Sequence, residues 1–330
     1  MRRSLGLLAL VGLLAAVCVV SILLGTRGVG LETIWKALTD FDPGSTSETV
    51  IREMRVPRTL VGLSAGMALG LAGAILQAAT RNPLADPGIL GINGGAAAAI
   101  VVAIMLLGRQ SLTTNVWFGF AGAALAVVAV YSVASLGREG ATPVKLALAG
   151  AAISAGLYAV TTAIVMSNVD AFEEMRHWQV GSLAGRYYPV LWQTLPFLVL
   201  GSVAALLSGR ALNGLALGDE VATSLGQNVR RTRLLLFALV AILCGAAVAA
   251  CGPIVFLGLA VPQLARAVVG TDYRWVLAYS AVMAPIVFLV ADVIGRLAVS
   301  PGELQVGVVL GALGAPVFVL LVRYRNLATL

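Results

Sequence analysis

The chain has 330 residues and a net charge of +7, and 59% of its residues are hydrophobic whereas only 11% are charged. A soluble domain carries roughly 25% charged residues, so this chain cannot cover the surface of a water-soluble globule. Because lipid offers no hydrogen-bond partners, and because barrel strands would alternate apolar and polar residues, the long uncharged runs predict helices. We therefore expect a single all-α integral membrane domain over residues 1–330.

Nine uncharged runs are candidate membrane spans, since a span takes about 20 apolar residues. They cover, in chain order, 4–26, 59–80, 87–108, 110–137, 146–169, 187–209, 234–265, 275–291 and 304–322. The run 234–265 is too long for one crossing and contains Gly252-Pro253, where proline interrupts the helical hydrogen bonds. It therefore divides into two helices, the second continuing to about Val269, and the chain has about ten transmembrane helices.

The distribution of charge between the connecting segments predicts the orientation of the chain. With the N-terminus inside, the inner segments hold thirteen basic and five acidic residues, whereas the outer segments hold nine of each. Cytoplasmic segments of membrane proteins carry an excess of Lys and Arg, so both termini are expected in the cytoplasm. The excess charge then faces anionic membrane lipid rather than nucleic acid.

The second run contains glycine at every fourth position, Gly62, Gly66 and Gly70, and the segment Gly62–Gly66 also has the form GxSxG. An intramembrane serine protease would need a base beside Ser64, and the only histidine, His177, lies in a polar segment outside the spans. Small residues every fourth position let helices approach closely in lipid. We favour this packing role and keep the protease as a remote alternative.

The ninth span is expected to continue past its uncharged run to Asp292, which is then the one acidic residue inside a predicted span. An ion-coupled secondary transporter uses ionisable groups buried in the membrane, so Asp292 keeps that function open as a second remote alternative. Arg296 follows one helical turn later, and an i,i+4 ion pair near the outer face explains the acid more simply.

No GxxxxGK[ST] sequence occurs, so the chain has no P-loop of its own and we expect no enzymatic activity. ATP and Mg would be bound by a partner ATPase. The three cysteines, Cys18, Cys244 and Cys251, lie in apolar runs without a CxxC pair. Neither a metal site nor a cofactor is therefore predicted in this chain.

Three polar segments contain more than a connection needs. The outer segment at about 170–186 predicts an amphipathic helix at the membrane interface. The inner stretch Arg81–Gly91 contains two prolines and two glycines, which force an irregular backbone that is tolerated at membrane depth only against protein or a water-filled cavity. The inner stretch Arg210–Arg233 contains Gly218-Asp219-Glu220, typical of a helix start, and Gly226, typical of a helix stop. This last stretch is either a docking surface or a solvated loop, and the residues alone leave both open.

These segments carry a resemblance to a known family. The matching motifs are Arg55-Val56-Pro57-Arg58-Thr59-Leu60, Arg81–Gly91, Leu148-Ala149-Gly150, Trp178-Gln179-x-Gly181-Ser182-Leu183, Leu217-Gly218-Asp219, Gly252-Pro253-Ile254, Phe256-x-Gly258-Leu259, Ala291-Asp292 with Arg296, Pro301-Gly302-Glu303-Leu304 and Gly314-Ala315-Pro316. On these residues the chain resembles the FecCD family of permeases, which serve ABC importers of ferric siderophores, haem and cobalamin. It is most similar to the ferric-enterobactin type.

The resemblance implies a type II ABC importer permease fold, with two inverted repeats, in the bacterial cytoplasmic (inner) membrane. It implies three partners: a second permease subunit, identical or homologous, a cytoplasmic ABC ATPase dimer and an extracytoplasmic substrate-binding protein. The implied function is uptake of a ferric siderophore, with haem or cobalamin as the alternative substrates.

The resemblance also assigns roles to individual residues. It places ATPase coupling at Leu217, Gly218, Asp219, Glu220, Leu225 and Gly226, and docking of the binding protein at Arg55, Arg58 and Arg296, for which snorkelling to lipid phosphates is the alternative. The inner gate is expected at Asn82 and Leu84 from the turn itself, because Asn-Pro-Leu at an irregular turn can place one polar and one apolar side chain on the axis between two subunits. A rigid turn without a gating role is the alternative there. The sequence departs from the family at Gln263, where a histidine is usual. It also departs at Thr142-Pro143-Val144, where a cobalamin permease has small hydroxyl residues at an inner gate.

Overall fold

The computed structural model describes residues 2–25, 30–136, 142–299 and 302–324, and the regular secondary structure in these ranges is helical. The helices are α1 Arg2–Leu23, α2 Leu31–Thr39, α3 Thr46–Thr49, α4 Val56–Thr80, α5 Ile92–Leu107, α6 Leu112–Ala134, α7 Pro143–Ser167, α8 Val169–Trp178, α9 Tyr188–Leu207, α10 Gly209–Ala216, α11 Asp219–Ser224, α12 Val229–Cys251, α13 Leu257–Val269, α14 Tyr273–Ala298 and α15 Val306–Tyr324. A π-helical turn, Val50–Arg55, joins α3 to α4, and a 3-10 turn, Pro87–Leu90, precedes α5.

Ten helices of the described chain account for the ten predicted spans. Seven helical stretches are long and apolar enough to cross a membrane, and they contain α1, α4, α6, α7, α9, α12 and α14. The shorter apolar helices α5, α13 and α15 complete the set. The predicted division at Gly252-Pro253 is confirmed, because α12 ends at Cys251 and α13 begins only at Leu257.

Sequence analysis did not predict the short helices α2, α3 and α10, which lie between spans and carry no long apolar run. The outer helix predicted over about 170–186 is observed as α8 and ends earlier, at Trp178. The backbone after α8 forms hydrogen bonds with other elements. Ser182 N donates to the Cys251 carbonyl at 2.7 Å, and Gly307 N donates to the Gly181 carbonyl at 3.2 Å. These bonds attach the segment to the end of α12 and the start of α15, so it cannot continue as a helix.

The glycines of α4 let it pack closely against its neighbours, as predicted. A Cβ added at Gly66 would lie 2.8 Å from the Cα of Pro285 on α14, and one added at Gly70 would lie 2.8 Å from the Ser280 carbonyl oxygen. Gly73 lies so close to α13 that a Cβ would overlap the carbonyl group of Gly258. Such close contacts need glycine, because a Cβ at these positions would overlap the backbone of the neighbouring helix. As a result α4 lies at the centre of the bundle and is buried along most of its length.

Several neighbour pairs of spans recur when the first five spans are exchanged for the last five, although α4 packs closely on α9 whereas, among the described residues, the matching α1 and α12 are not a close pair. The pair α4 and α14 corresponds to α12 and α6, and the pair α5 and α6 corresponds to α13 and α14. The pair α5 and α7 likewise corresponds to α13 and α15. Because each half has an odd number of spans, the two halves run in opposite directions through the membrane. The spans therefore form two inverted repeats.

Each repeat also has a break between α-helices before its third span. In the first repeat, residues 81–91 separate α4 from α5, and in the second, residues 252–256 separate α12 from α13. The two breaks lie near opposite ends of the bundle. We call these ends the α11 end, which holds α10, α11 and the C-terminus of α4, and the α8 end, which holds α8 and the C-termini of α1 and α14.

Candidate functional site

Three groups of residues form the candidate site: the helix α11, the turn that follows α4, and a cluster of arginines at the α8 end. Helix α11 has the predicted bounds. It begins after Gly218, whose φ is 109°, with Asp219 and Glu220 in the first turn, where the helix dipole favours acidic side chains. It ends in a Schellman motif, because Gln227 N donates to the Ala222 carbonyl at 3.0 Å and Gly226, at φ 82°, donates to the Thr223 carbonyl at 2.9 Å.

The side of α11 that faces away from the bundle is apolar and exposed. The exposed fractions are 63% for Leu217, 44% for Val221 and 69% for Leu225. Ala222, on the opposite side, is fully buried. The two leucines are among the predicted coupling residues and Val221 is not, although its spacing of four residues from Leu225 places both on one helix face. Three exposed apolar side chains on so short a segment form a compact apolar patch on the surface.

Asp219 connects α11 to two other elements. Its carboxylate accepts a hydrogen bond at 3.0 Å from Nη2 of Arg233, near the start of α12, and it also forms an ion pair with Arg81. Arg81 is the residue that ends α4, and it has a positive φ of 49°. Because Asn82 follows directly, the ion pair brings α11 to the beginning of the turn that contains the predicted gate residues.

The turn between α4 and α5 is held in a defined conformation by its own side chains. Asn82 Oδ1 accepts from Leu84 N at 2.9 Å, and Asp86 Oδ1 accepts from Gly88 N at 2.7 Å, so both side chains cap the turn. Asn82 and Leu84 are both exposed, Leu84 to 48%. The structure thus presents one polar and one apolar side chain at the surface of the α11 end.

Gln263 binds this turn to α13. Its side-chain NH₂ donates to the Pro83 carbonyl and also lies 3.4 Å from Gln77 Oε1. Gln77 in turn donates to the Leu259 carbonyl at 3.0 Å and accepts from the buried Arg266. The sequence left the role of Gln263 open; the structure shows it as a buried connection between α4, the turn and α13. No sequence signal identified it, since its partner is a backbone carbonyl.

The third group, Arg55, Arg58 and Arg296, lies at the α8 end, where α1, α4 and α14 meet. Arg55 Nη1 donates to the carbonyls of Ile22 and Leu23 at 2.9 and 2.8 Å. Arg296 Nη1 donates to the carbonyls of Ser21 and Leu24, both at 2.8 Å. The last carbonyls of a helix have no partner within the helix, so the two arginines cap the C-terminus of α1.

Asp292 joins the other members of this cluster. The predicted i,i+4 ion pair is confirmed, with Arg296 Nη2 at 2.9 Å from the carboxylate, and Arg58 Nη2 lies at 2.8 Å. Arg58 also pairs with Glu303 at 2.8 Å. Arg55 and Arg296 are only 6% and 3% exposed. The three arginines and Glu303 nevertheless line a cavity of about 220 Å³ at this end.

The remaining sequence motifs have ordinary structural roles in the described chain. Ser64 Oγ donates to the Leu60 carbonyl at 2.8 Å, within its own helix. Thr142 caps the start of α7 by accepting from Lys145 N at 3.3 Å. The side chain of His177 lies outside the described residues. Among the described residues, no group of three or more His, Cys, Asp and Glu could hold a metal ion.

Ten membrane-spanning helices in two inverted repeats, with a capped helix exposed at one end, define a membrane permease with the type II ABC importer fold. The chain belongs to the FecCD transport family, whose model matches residues 13–324. It is 44% identical over 325 residues to FepD, the ferric enterobactin transport system permease protein of Escherichia coli K12, covering 98% of this chain and 96% of that protein. It is 42% identical to YfmD, the Fe(3+)-citrate import system permease protein of Bacillus subtilis, covering 86% and 84% of the two chains.

The fold also matches a solved structure. A chain described as belonging to a metal-chelate type ABC transporter, in an inward-facing conformation, superimposes with a TM-score of 0.82 at 28% identity. The match covers 97% of this chain and 99% of that one.

Proposed function

We propose that this chain is the permease subunit of an ABC importer that takes up a ferric siderophore across the bacterial cytoplasmic membrane. The observation that carries the proposal is α11, a capped helix with an exposed apolar face at the basic end of a FecCD-family bundle. Relatives named for ferric enterobactin and for ferric citrate support an iron chelate as the substrate. ATP hydrolysis, with ATP and Mg, belongs to a separate ATPase dimer in this proposal.

The charge distribution supports the proposed orientation. The α11 end carries Arg81 and Arg233 on the elements that meet there, and Arg210, Arg230, Arg231 and Arg274 lie on the adjoining segments. Basic residues concentrate on the cytoplasmic side of membrane proteins, so α11 faces the cytoplasm and the α8 end faces outward. The N-terminus is then cytoplasmic, because the Arg3 carbonyl, near the start of α1, accepts a hydrogen bond from Tyr279 OH in the first half of α14. An even number of spans returns the C-terminus to the same side.

ATPase coupling is proposed at Leu217, Gly218, Asp219, Glu220, Leu225 and Gly226, with Val221 as an additional contact. Leu217, Val221 and Leu225 would enter an apolar notch of the ATPase, while the two glycines determine the backbone at the ends of α11. Glu220 is exposed and available to a partner. The apolar contacts supply affinity, because exposed charges contribute little on their own.

Asn82 and Leu84 are proposed as the inner gate. They lie exposed on a fixed turn at the same end as α11, and a second permease subunit, identical or homologous, would bring a second such turn against the first. The exposed Leu84 would then close the path by an apolar contact between subunits.

At the outer end, Arg55, Arg58 and Arg296 are proposed to receive acidic side chains of an extracytoplasmic binding protein. The cavity that the three arginines line supports this role. Arg55 and Arg296 also hold α1, so Arg58, which is the least buried of the three, is the first candidate for a contact that forms and dissociates.

The deciding experiment is uptake by proteoliposomes that contain the complex of this chain with its ATPase and binding protein. We expect uptake of radiolabelled ferric enterobactin or ferric citrate to require ATP and to stop after Leu225→Asp, with the permease still folded. The matched control is Leu136→Asp, at an exposed apolar residue that lies beyond the end of α6 and outside α11. Uptake that follows a proton gradient without ATP would instead indicate an ion-coupled carrier and would disprove the proposal.

A further inference from the structure

The described contacts connect α11 to the turn after α4 through one side chain, that of Arg81. We propose that Arg81 is a positioning residue that transmits a displacement of α11 to the turn carrying Asn82 and Leu84. This inference rests on the proposed coupling and gating functions and names the residue that joins them. Its partner is Asp219, in the first turn of α11.

The backbone at Arg81 makes this arginine unexpected. Asn82 N donates to the Gln77 carbonyl at 3.2 Å and Arg81 N donates to the Ala78 carbonyl at 3.1 Å, so α4 ends in a Schellman motif with Arg81 at its left-handed position. That position favours glycine, because a side chain there is strained. Helix α11 ends in the same motif and has glycine there, Gly226. An arginine at such a position indicates that its side chain has a functional role.

The interaction that the Arg81 side chain makes in the structure is the ion pair with Asp219. Both side chains are about half exposed, 44% for Arg81 and 45% for Asp219. An ion pair with that exposure contributes little to folding, so stability does not explain why arginine replaces glycine. Arg233, the other partner of Asp219, lies on the helix that directly follows α11. Arg81 is therefore the partner that connects α11 to a distant part of the chain.

The opposite side of the turn is attached to the bundle. Gln263 donates to the Pro83 carbonyl, and Gly150 on α7 lies against the Ile89 carbonyl so closely that a Cβ there would overlap it. Within the described residues, the turn is thus fixed to α13 and α7 on one side and joined to α11 by the Arg81–Asp219 ion pair on the other. A displacement of α11 reaches the turn at Arg81, and the residue it moves first is Asn82.

The conformational cost at Arg81 gives an informative variant. Arg81→Gly removes the ion pair and the backbone strain together, so we expect a melting temperature equal to or above that of the wild type. In proteoliposomes with the ATPase and binding protein, we expect the amount of ferric enterobactin transported per ATP hydrolysed to fall about 5-fold or more, the usual range of coupling between sites. Arg81→Lys retains the charge and should restore most of the ratio.

The control variant is Arg231→Gln, which removes a charge from an exposed side chain on the same side of the membrane and should leave the ratio unchanged. A ratio that stays normal in Arg81→Gly, or that falls equally in Arg231→Gln, would overturn the inference. The ratio separates this role from a loss of folded protein, since misfolding lowers uptake and hydrolysis together. If the wild-type complex shows no ATP-driven uptake, the proposed function fails and the role of Arg81 fails with it, an outcome distinct from a failure of Arg81→Gly alone.

Discussion

At the scale of single residues, Asp292 is the centre of a cluster of buried charges at the α8 end. A carboxylate that is almost fully buried needs compensation, because removing one partner of a buried ion pair leaves an uncompensated charge. Arg296 supplies an ion pair to Asp292 and hydrogen bonds to the end of α1, whereas Arg58 divides its guanidinium between Asp292 and Glu303. Loss of Arg296 would therefore remove both an ion pair and hydrogen bonds that cap α1, whereas loss of Arg58 would remove only its contacts with the two carboxylates.

We expect Arg296→Met to lower the free energy of unfolding by about 3–5 kcal/mol, the range for breaking a buried ion pair. Arg58→Met should be milder, because its side chain is more exposed and Arg296 still compensates Asp292. Thermal unfolding of the purified chain in detergent measures both. Equal losses in the two variants would contradict the larger contribution expected from Arg296.

At the scale of helices, close packing depends on where a glycine faces. Gly73 on α4 meets the backbone of Gly258, whereas Gly156 on α7 has nothing within 4 Å of an added Cβ. Both lie inside long helices, so the intrinsic preference for alanine over glycine, about 1 kcal/mol, applies equally to both.

Gly73→Ala should therefore destabilise the chain by about 1–3 kcal/mol, the typical effect of overpacking, because α13 must move away from α4. Gly156→Ala should leave the melting temperature unchanged or raise it. The comparison of the two melting temperatures in detergent tests the packing. A tolerated Gly73→Ala would mean that α4 and α13 are not in this close contact.

The sequence predicted the ten spans, the division at Gly252-Pro253, the glycine packing of α4 and the bounds of α11, because each depends on local composition or on turn chemistry. It did not predict α2, α3 or α10, which are too short to show a period. It also could not show that Arg55 and Arg296 cap α1, or that Gln263 binds the Pro83 carbonyl. Those partners lie far away in the chain, and every residue has a backbone carbonyl, so residue types do not show which carbonyl accepts the hydrogen bond.

At the scale of the whole molecule, the exposed surfaces indicate an assembly. Leu84 at the α11 end is half exposed although the turn that carries it is fixed. If a second permease subunit places an equivalent turn opposite, the two leucines come within reach of each other when the gate is closed.

We expect the variant Leu84→Cys to form a disulfide between two permease subunits, with a yield that changes between nucleotide-free and ATP-bound complexes. A cysteine at Leu136, an exposed residue at the end of another span, is the comparison and should not respond to nucleotide. Oxidative cross-linking followed by electrophoresis measures the yields. No cross-link under any nucleotide condition would place the gate elsewhere.

The exposed apolar face of α11 has a further consequence for the lifetime of the chain in the cell. A cluster such as Leu217, Val221 and Leu225, left uncovered, is what chaperones and proteases recognise as unassembled protein. Nearby arginines such as Arg230 and Arg231 would offer cleavage sites to a trypsin-like protease. The ATPase would then act as a stabiliser of the permease, and a subunit synthesised in excess of its partner would be degraded, so the two would accumulate in matched amounts.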